Sequence, residues 1–241
     1  MDYHLPKSML NRYLSWYVRG QERPVFYDID RVYPSLNEIT RHYGVIRREF
    51  EAVLERQVSM PRYHDVDSGE RAISDTTPGN WKVFMFEVLG HRSEANRALC
   101  PETSRVLDRI PNMIQAFFSI LDPKKSIPEH EGPYLGYLRY HLALRVPTIE
   151  PPSLVVKKQP YVWKEGEAVL FDDSWPHAVI NNSPQMRAVL IIDVMRPLPL
   201  IPRLVNRLVT NVIARHTYGR KVAQKVEQSS SADSSRPRKA A

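Results

Sequence analysis

Polar residues with the potential for chemistry concentrate in three stretches of the sequence, at 117–147, 163–179 and 181–194. His130 and His177 each lie at the edge of a predicted strand, beside acidic and turn-forming residues, where a metal ion could be reached from solvent. Because Cys100 is the single cysteine, thiolate-rich zinc sites and iron–sulfur clusters are excluded. A metal bound to this chain would therefore be held by His, Asp or Glu.

Charged side chains also fall on a strand face that is predicted to turn inward. Alternation along a strand places Arg139 and His141 on the same face as Tyr137 and Ala143, and Arg187 opens the apolar run that follows it. Burying such groups is costly unless they meet a partner. An anionic ligand would be such a partner. An exposed cross-strand arginine and a partly buried polar histidine remain the alternatives.

The secondary structure predicted to position these residues changes from helices to strands along the chain. Apolar residues recur at helical spacing over 8–18 and 36–53, whereas segments rich in branched and aromatic residues dominate after about residue 112. Strands are predicted at 81–89, 113–121, 134–147, 153–157, 161–163, 167–171, 177–181 and 187–194. Helices followed by many short strands indicate a mainly β protein with a double-stranded β-helix core of the jelly-roll or cupin-like type, supported by N-terminal helices.

The same pattern predicts how the chain is divided. Residues 1–23 should form an N-terminal amphipathic helix and 24–198 a jelly-roll domain with flanking helices. A basic amphipathic helix is expected at 199–227, followed by a disordered tail at 228–241. His64 and its acidic neighbours are interpreted as surface loop, and Cys100 as part of the start of a helix.

The distribution of charge narrows the classes of partner. The formal net charge of +7 falls entirely after residue 202, where nine Lys or Arg accompany two acidic residues, so no nucleic-acid partner is expected. Segment 200–226 instead suggests contact with an anionic membrane surface, with packing on the barrel as the alternative. No secretory signal or long apolar run is evident, so we expect a cytoplasmic protein, peripheral on the inner face of the cell membrane.

The order Ser119…His130-x-Gly-Pro…Arg139-x-His141…Phe171-Asp-Asp-Ser-x-x-His177…Arg187 resembles the aspartyl/asparaginyl β-hydroxylase family of Fe(II)/2-oxoglutarate-dependent dioxygenases. The resemblance covers roughly 24–198 and is dense over 117–196, and so many spaced matches in order make it specific. Within the family the chain looks closer to bacterial lipid acyl-chain 2-hydroxylases. Three features carry that likeness: Leu-Arg-Tyr-His-Leu at 138–142, Trp-Lys at 81–82 and Leu-Cys-Pro at 99–101.

The resemblance implies a set of site residues and cofactors. Fe(II) would be held by His130 and His177, with 2-oxoglutarate as cosubstrate and O2 as oxidant. The carboxylates of 2-oxoglutarate would be gripped by Ser119, His141 and Arg187, with Arg139 near the same cosubstrate. The lipid hydroxylases carry an acid two residues after the first histidine, where this chain has Gly132. The implied centre therefore has two histidines completed by water, and its third ligand is left open.

The resemblance implies an enzyme that hydroxylates an unactivated C–H bond, with the acyl chain of a membrane lipid as the leading substrate. A β-hydroxylase of an amino acid, a peptide or a carrier-bound aminoacyl group is the first alternative. A non-catalytic jelly-roll binding module is the second.

Overall fold

A computed structural model describes residues 4–67 and 71–234. In this part of the chain, eleven strands form two antiparallel sheets, one ordered β1-β9-β6-β11-β4-β2-β3 and the other β5-β10-β7-β8. The strands are β1 Phe26–Tyr27, β2 Trp81–Val88, β3 His91–Arg92, β4 Met113–Leu121, β5 Ile127–His130, β6 Tyr137–Arg145, β7 Ser153–Val156, β8 Gln159–Val162, β9 Ala168–Phe171, β10 His177–Ile180 and β11 Arg187–Met195.

Helices precede and follow the sheets. The α-helices are α1 His4–Tyr17, α2 Ile29–Val32, α3 Asn37–Arg41, α4 Tyr43–Glu55, α5 Tyr63–Val66, α6 Arg71–Ser74, α7 Glu94–Leu99, α8 Pro101–Leu107, α9 Leu200–Leu208 and α10 Arg220–Ser234. Gly20–Glu22 and Pro34–Leu36 form 3-10 turns, and a π-helical segment, Val209–Gly219, joins α9 to α10. None of the helices in the described ranges is both long and apolar enough to cross a membrane.

Strand alternation divides the large sheet into two buried faces. Phe117 and Val189 point into the space between the sheets, where they pack with Leu154 and Val179 of the small sheet. The alternate residues, such as Phe118, belong to a second apolar cluster on the back of the large sheet. Because side chains alternate with period two, each long strand contributes to both clusters. This double-sheet arrangement confirms the predicted jelly-roll core.

The N-terminal helices cover the back of the large sheet. Phe50 of α4 meets Phe118 edge to face, with ring centroids 5.1 Å apart. Leu107 at the end of α8 is fully buried in the same cluster. The amphipathic pattern over 36–53 predicted one helix, but the structure divides it at His42 between α3 and α4. With its back covered, the large sheet presents only its inner face to a site.

His130 was predicted at a strand edge, but no bounds were predicted for β5, because Pro128 lies within it and proline is a poor strand residue. The strand predicted at 134–147 is shorter, at Tyr137–Arg145. These two differences leave 131–136 as a loop between the strand that ends at His130 and the strand that carries Arg139 and His141.

The two α-helices of the C-terminal segment differ in the burial of their apolar side chains. The side chains of Val222 and Val226 on α10 are buried in the cluster between the sheets. On α9, by contrast, Leu204 and Leu208 are largely exposed. Helix α10 continues to Ser234, through the first half of the tail predicted to be disordered, and 235–241 lie outside the described residues.

Candidate active site

His130 and His177 lie side by side on adjacent strands of the small sheet. They are direct register partners on the antiparallel strands β5 and β10. Their ring centroids are 4.1 Å apart. In each ring Nδ1 lies 2.9 Å from the main-chain carbonyl oxygen two residues earlier, that of Pro128 or of Trp175. Because Nδ1 donates to the carbonyl, Nε2 keeps its lone pair and can bind a metal ion.

Burial keeps both rings in the neutral form that a metal requires. Desolvation lowers the pKa of His130. It lowers the pKa of His177 to about 3, with a further contribution from the neighbouring His130. Both rings are therefore unprotonated at neutral pH. No cluster of three His, Cys, Asp or Glu side chains able to hold a metal ion occurs within 4–67 and 71–234.

Asp173 occupies the space beside Gly132. The Gly132 amide donates to the Asp173 carbonyl oxygen at 2.8 Å. A Cβ atom on Gly132 would lie 2.6 Å from the carboxyl carbon and both oxygens of Asp173. The Asp173 carboxyl thus fills the position into which a side chain at 132 would project.

The Asp173 carboxyl is held by neighbours on β6. Tyr137 donates its hydroxyl to Oδ2 at 2.7 Å, and an Arg139 guanidinium nitrogen lies 3.2 Å from the same oxygen. Oδ1 is buried and has no hydrogen-bond partner among the described residues. Burial raises the pKa of Asp173 to about 7.

Arg187 is buried on the inner face of β11 without a counter-charge. Its guanidinium carbon lies 3.9 Å from the centroid of the Trp163 ring, and the side chain is 1% exposed. Two of its nitrogens, Nε and one terminal nitrogen, have no hydrogen-bond partner in the described part of the protein. Burial lowers the pKa of Arg187 to about 9, which still leaves it cationic at neutral pH. An unpaired buried guanidinium is costly, and a carboxylate matches its donors.

His141 and Ser119 lie on the strands that flank β11. The His141 ring stacks on Trp163 at 5.9 Å, and neither of its nitrogens has a partner in the described ranges. Burial and the charge of Arg187 hold the pKa of His141 well below its usual value. Ser119 accepts a hydrogen bond from Trp81 Nε1 at 2.9 Å, so its own hydroxyl hydrogen is available to a ligand. The residues around Arg187 can therefore bind an anion.

Phe171 connects this anion pocket to the histidine pair. Its ring lies 5.0 Å from His141 and 6.0 Å from His177, in edge-to-face contact with both. The pocket and the two imidazoles thus share one wall. Neutral imidazole donors beside an unpaired guanidinium fit a ferrous ion and a carboxylate ligand bound next to each other.

Arg139 is in the same region, but carboxylates already bind its guanidinium. It forms two hydrogen bonds of 2.8 Å to Asp193 and also approaches Asp173. Its charge lowers the pKa values of His130, His141 and His177, which places it near the other site residues. All six predicted residues lie on strands around the space between the two sheets, with Arg139 opposite Asp193 near one end of β11 and Arg187 at the other end of that strand. Arg139 also differs from Arg187 in being ion-paired.

Outside the site, the structure contradicts the prediction for His64 and agrees with the one for Cys100. His64, expected in a surface loop, is buried in helix α5 and hydrogen bonded to Ser74. Cys100 is fully buried before α8, and burial raises the pKa of its thiol to about 12. Such a thiol is a poor nucleophile, consistent with a structural position at the helix start.

Sequence reasoning missed Trp163 and Asp173. The indole nitrogen of Trp163 is buried and has no partner in the described chain, and its ring contacts both Arg187 and His141. Trp163 is the last residue of a predicted short strand and lies directly before a turn, which was the available signal. For Asp173, the absent side chain at Gly132 was the signal, because the space left there had to be filled.

Comparison of the sequence with known proteins shows which family the chain belongs to. A family model described as aspartyl/asparaginyl beta-hydroxylase matches residues 40–197. The ornithine lipid ester-linked acyl 2-hydroxylase of Rhizobium tropici is 38% identical over 192 residues, which are 78% of this chain and 66% of that protein.

More distant relatives come from animals. Aspartate beta-hydroxylase domain-containing protein 2 of Xenopus tropicalis is 31% identical over 170 residues, covering 66% of this chain and 44% of that protein. The aspartyl/asparaginyl beta-hydroxylase of Homo sapiens is 28% identical over 167 residues, covering 67% and 21%. The chain thus spans between about a fifth and two thirds of these relatives. It belongs to the aspartyl/asparaginyl beta-hydroxylase family.

Proposed function

We propose that the protein is an Fe(II)/2-oxoglutarate-dependent dioxygenase that hydroxylates an unactivated C–H bond in the acyl chain of a membrane lipid. One observation carries the proposal. A buried guanidinium with unpaired nitrogens, Arg187, is linked through the rings of Trp163, His141 and Phe171 to two neutral imidazoles whose Nε2 atoms are free to bind a metal. Cytoplasmic placement, on the inner face of the cell membrane, is part of the same proposal.

His130 and His177 would hold the iron, since their carbonyl-bonded Nδ1 atoms orient both rings. When bound, the iron with 2-oxoglutarate and O2 supplies the oxidising chemistry that inserts oxygen into a C–H bond. The protein's own contribution is to orient, to neutralise charge and to exclude water.

Arg187 would bind one carboxylate of 2-oxoglutarate through paired N–H donors, aided by Ser119 and by His141. Because His141 is neutral, one of its ring nitrogens can donate to the ligand without adding charge. Trp163 and Phe171 form apolar walls around this contact and keep water from competing for the guanidinium. The cosubstrate would then be held in a fixed position relative to the two histidines.

A lipid substrate is supported by the 38% identity to an ornithine lipid acyl 2-hydroxylase across 78% of the chain. A β-hydroxylase of an amino acid, peptide or carrier-bound aminoacyl group is the second candidate, supported by the animal relatives at lower identity. The complete set of ligand-binding side chains argues against a non-catalytic binding module.

The test is succinate formation by iron-loaded protein, with a bacterial lipid extract or with peptides as the substrate. We expect stimulation by lipid and a hydroxylated acyl chain detected by mass spectrometry. His177→Ala should abolish turnover, whereas His42→Ala, a change in a partly exposed residue between α3 and α4, should not. Stimulation by peptide alone would contradict the lipid assignment, and full activity of His177→Ala would contradict the site.

A further inference from the structure

We propose that α9 docks the protein on an anionic phospholipid membrane. We call the surface involved the docking face and define it by six apolar residues that follow one side of α9 and the start of the π-helical segment. These residues are Leu200, Ile201, Leu204, Leu208, Val212 and Ile213. The inference deepens the proposed function, since a hydroxylase of membrane lipids has to reach its substrate at a bilayer.

The docking face is exposed along its whole length. Each of its six side chains has between 49% and 67% of its surface open to solvent. Soluble proteins seldom expose a continuous row of large apolar residues, and such rows mark interaction sites. On the opposite side of α9, Pro202 and Asn206 are buried against the barrel. The helix is therefore fixed in its orientation, with its apolar side turned outward.

Polar contacts anchor α9 to the loop 131–136, which follows His130. The Asn206 amide donates to the Gly136 carbonyl oxygen at 2.7 Å, and the Tyr134 hydroxyl donates to Asn206 Oδ1 at 2.6 Å. Gly136 and Tyr134 belong to the loop 131–136, which directly follows His130. A membrane bound at the docking face would thus contact the outer side of a helix whose inner side is hydrogen bonded to the loop that begins after a proposed iron ligand.

Positive charge flanks the docking face. Arg203 and Arg207 lie on the border between the apolar and buried sides of α9 and line a groove of about 410 Å³. Tyr33, Ser35 and Asn112 line the same groove. No Asp or Glu occurs between Leu200 and Gly219. An apolar row bordered by arginine is the arrangement that binds the headgroup boundary of an anionic membrane.

The packing of α10 restricts how far along the chain the membrane contact can extend. In α10 the side chains of Val222 and Val226 are buried in the barrel core, so this helix cannot bury an apolar side in lipid at the same time. The membrane contact expected over 200–226 is accordingly narrowed to 200–213.

The experiment is flotation of the full-length protein with vesicles of phosphatidylcholine, with and without phosphatidylglycerol. We expect binding that needs the anionic lipid and weakens as salt is raised. Leu204→Gln with Leu208→Gln should lower partitioning at least tenfold. Arg203→Gln with Arg207→Gln should lower it about thirtyfold, because each positive charge near an anionic surface is worth about fivefold.

Matched controls change equally exposed residues elsewhere. Ile149→Gln with Val162→Gln removes apolar side chains that are 59% and 48% exposed outside the docking face. Lys158→Gln with Lys164→Gln removes two exposed charges outside α9. Both control pairs should bind like the parent protein. Equal binding of parent and docking-face variants, or equal binding to neutral vesicles, would overturn the proposal.

A second measurement separates docking from catalysis. Succinate formation is compared with substrate lipid in vesicles and with the same lipid dispersed in detergent micelles. Docking-face variants should lose turnover on vesicles and keep it on micelles. Parent protein that binds anionic vesicles but forms no succinate with either would contradict the proposed function and leave docking standing.

Discussion

Arg139 and Arg187 point into the same barrel from neighbouring strands, but their surroundings differ. Arg139 is bound by Asp193 at 2.8 Å and approached by Asp173 at 3.2 Å. Arg187 stacks on Trp163 and meets no carboxylate in the described part of the chain. The first arginine is paired by carboxylates of the protein itself, whereas the second has no such partner among residues 4–67 and 71–234. The comparison separates a charge that holds structure from a charge that is kept for binding.

The ion-paired group extends beyond Arg139. Asp172, fully buried, bridges Arg23 at 2.8 Å and Arg196 at 2.7 Å. Removing one member of a buried ion pair leaves the others unpaired and typically costs several kcal/mol. Removing an already unpaired charge should do the opposite. Substitutions in the ion-paired side chains around Arg139 and Asp172 should therefore lower stability. Substitution of the unpaired Arg187 should instead weaken ligand binding without lowering stability.

The largest effect is expected for Asp172→Ala. It leaves two buried guanidinium groups without their carboxylate and should lower the free energy of unfolding by about 3–5 kcal/mol. Chemical denaturation followed by circular dichroism measures this. Glu167→Ala, which removes an exposed partner of Lys164, should change stability by less than about 0.5 kcal/mol. A similar small change for both variants would show that the paired group does not stabilise the fold.

The buried histidines of the candidate site should make the stability of the metal-free protein sensitive to acid. The pKa values of His130, His141 and His177 are lowered in the folded state, so the unfolded chain binds up to three more protons below pH 6.5. Asp173, with its pKa raised to about 7, opposes this by one proton. Unfolding free energy should fall by up to about 2.7 kcal/mol per pH unit as pH drops from 6.5 toward 3. Melting curves across this range provide the test, and a flat profile from pH 7 to 5 would contradict it.

Arg187→Met tests the unpaired guanidinium directly. If Arg187 binds 2-oxoglutarate as proposed, the substitution removes charged hydrogen bonds worth about 1.5–3 kcal/mol, so the dissociation constant of 2-oxoglutarate should rise about 10- to 150-fold. Titration calorimetry with zinc in place of iron measures binding without turnover. Stability should stay the same or rise, since a buried unpaired charge is lost. Arg145→Met, which affects a partly exposed pair with Glu51, should leave 2-oxoglutarate affinity unchanged.

Gly132→Ala tests the space that Asp173 occupies. The new Cβ atom would lie 2.6 Å from the Asp173 carboxyl, and displacing that group should cost about 1–3 kcal/mol. Adding Asp173→Gly should remove most of this overlap. Gly44→Ala in α4, where a Cβ meets only the Arg48 side chain at 3.8 Å, should instead stabilise by about 0.5–1 kcal/mol. Equal stability of Gly132→Ala and the parent would mean that the carboxyl moves freely.

The inward direction of the site residues could be predicted, because strand periodicity depends only on local sequence. Alternation correctly placed Arg139 and His141 on the face that also carries Ala143. What could not be predicted was which arginine is paired. Asp193 pairs with Arg139 only because β11 and β6 align these two residues, a register set by the whole sheet.

The same limit applies to Asp173 and to the C-terminal helices. Asp173 is 41 positions from Gly132 in the chain, and only the approach of two loops shows that one fills the space of the other. Helices α9 and α10 have similar apolar patterns, but their packing differs, since α10 is buried where α9 is exposed. Amphipathic character predicted a helix in both cases without identifying what would cover its apolar side.

The hydrogen bonds that orient His130 and His177 come from the main chain two residues earlier. A carbonyl oxygen is present whatever amino acid occupies that position, so point mutations around the pair cannot delete the acceptor. Ring orientation is thus encoded in the path of the polypeptide. Neighbouring side chains are free to diverge toward new substrates while the two proposed iron ligands keep their tautomer and direction.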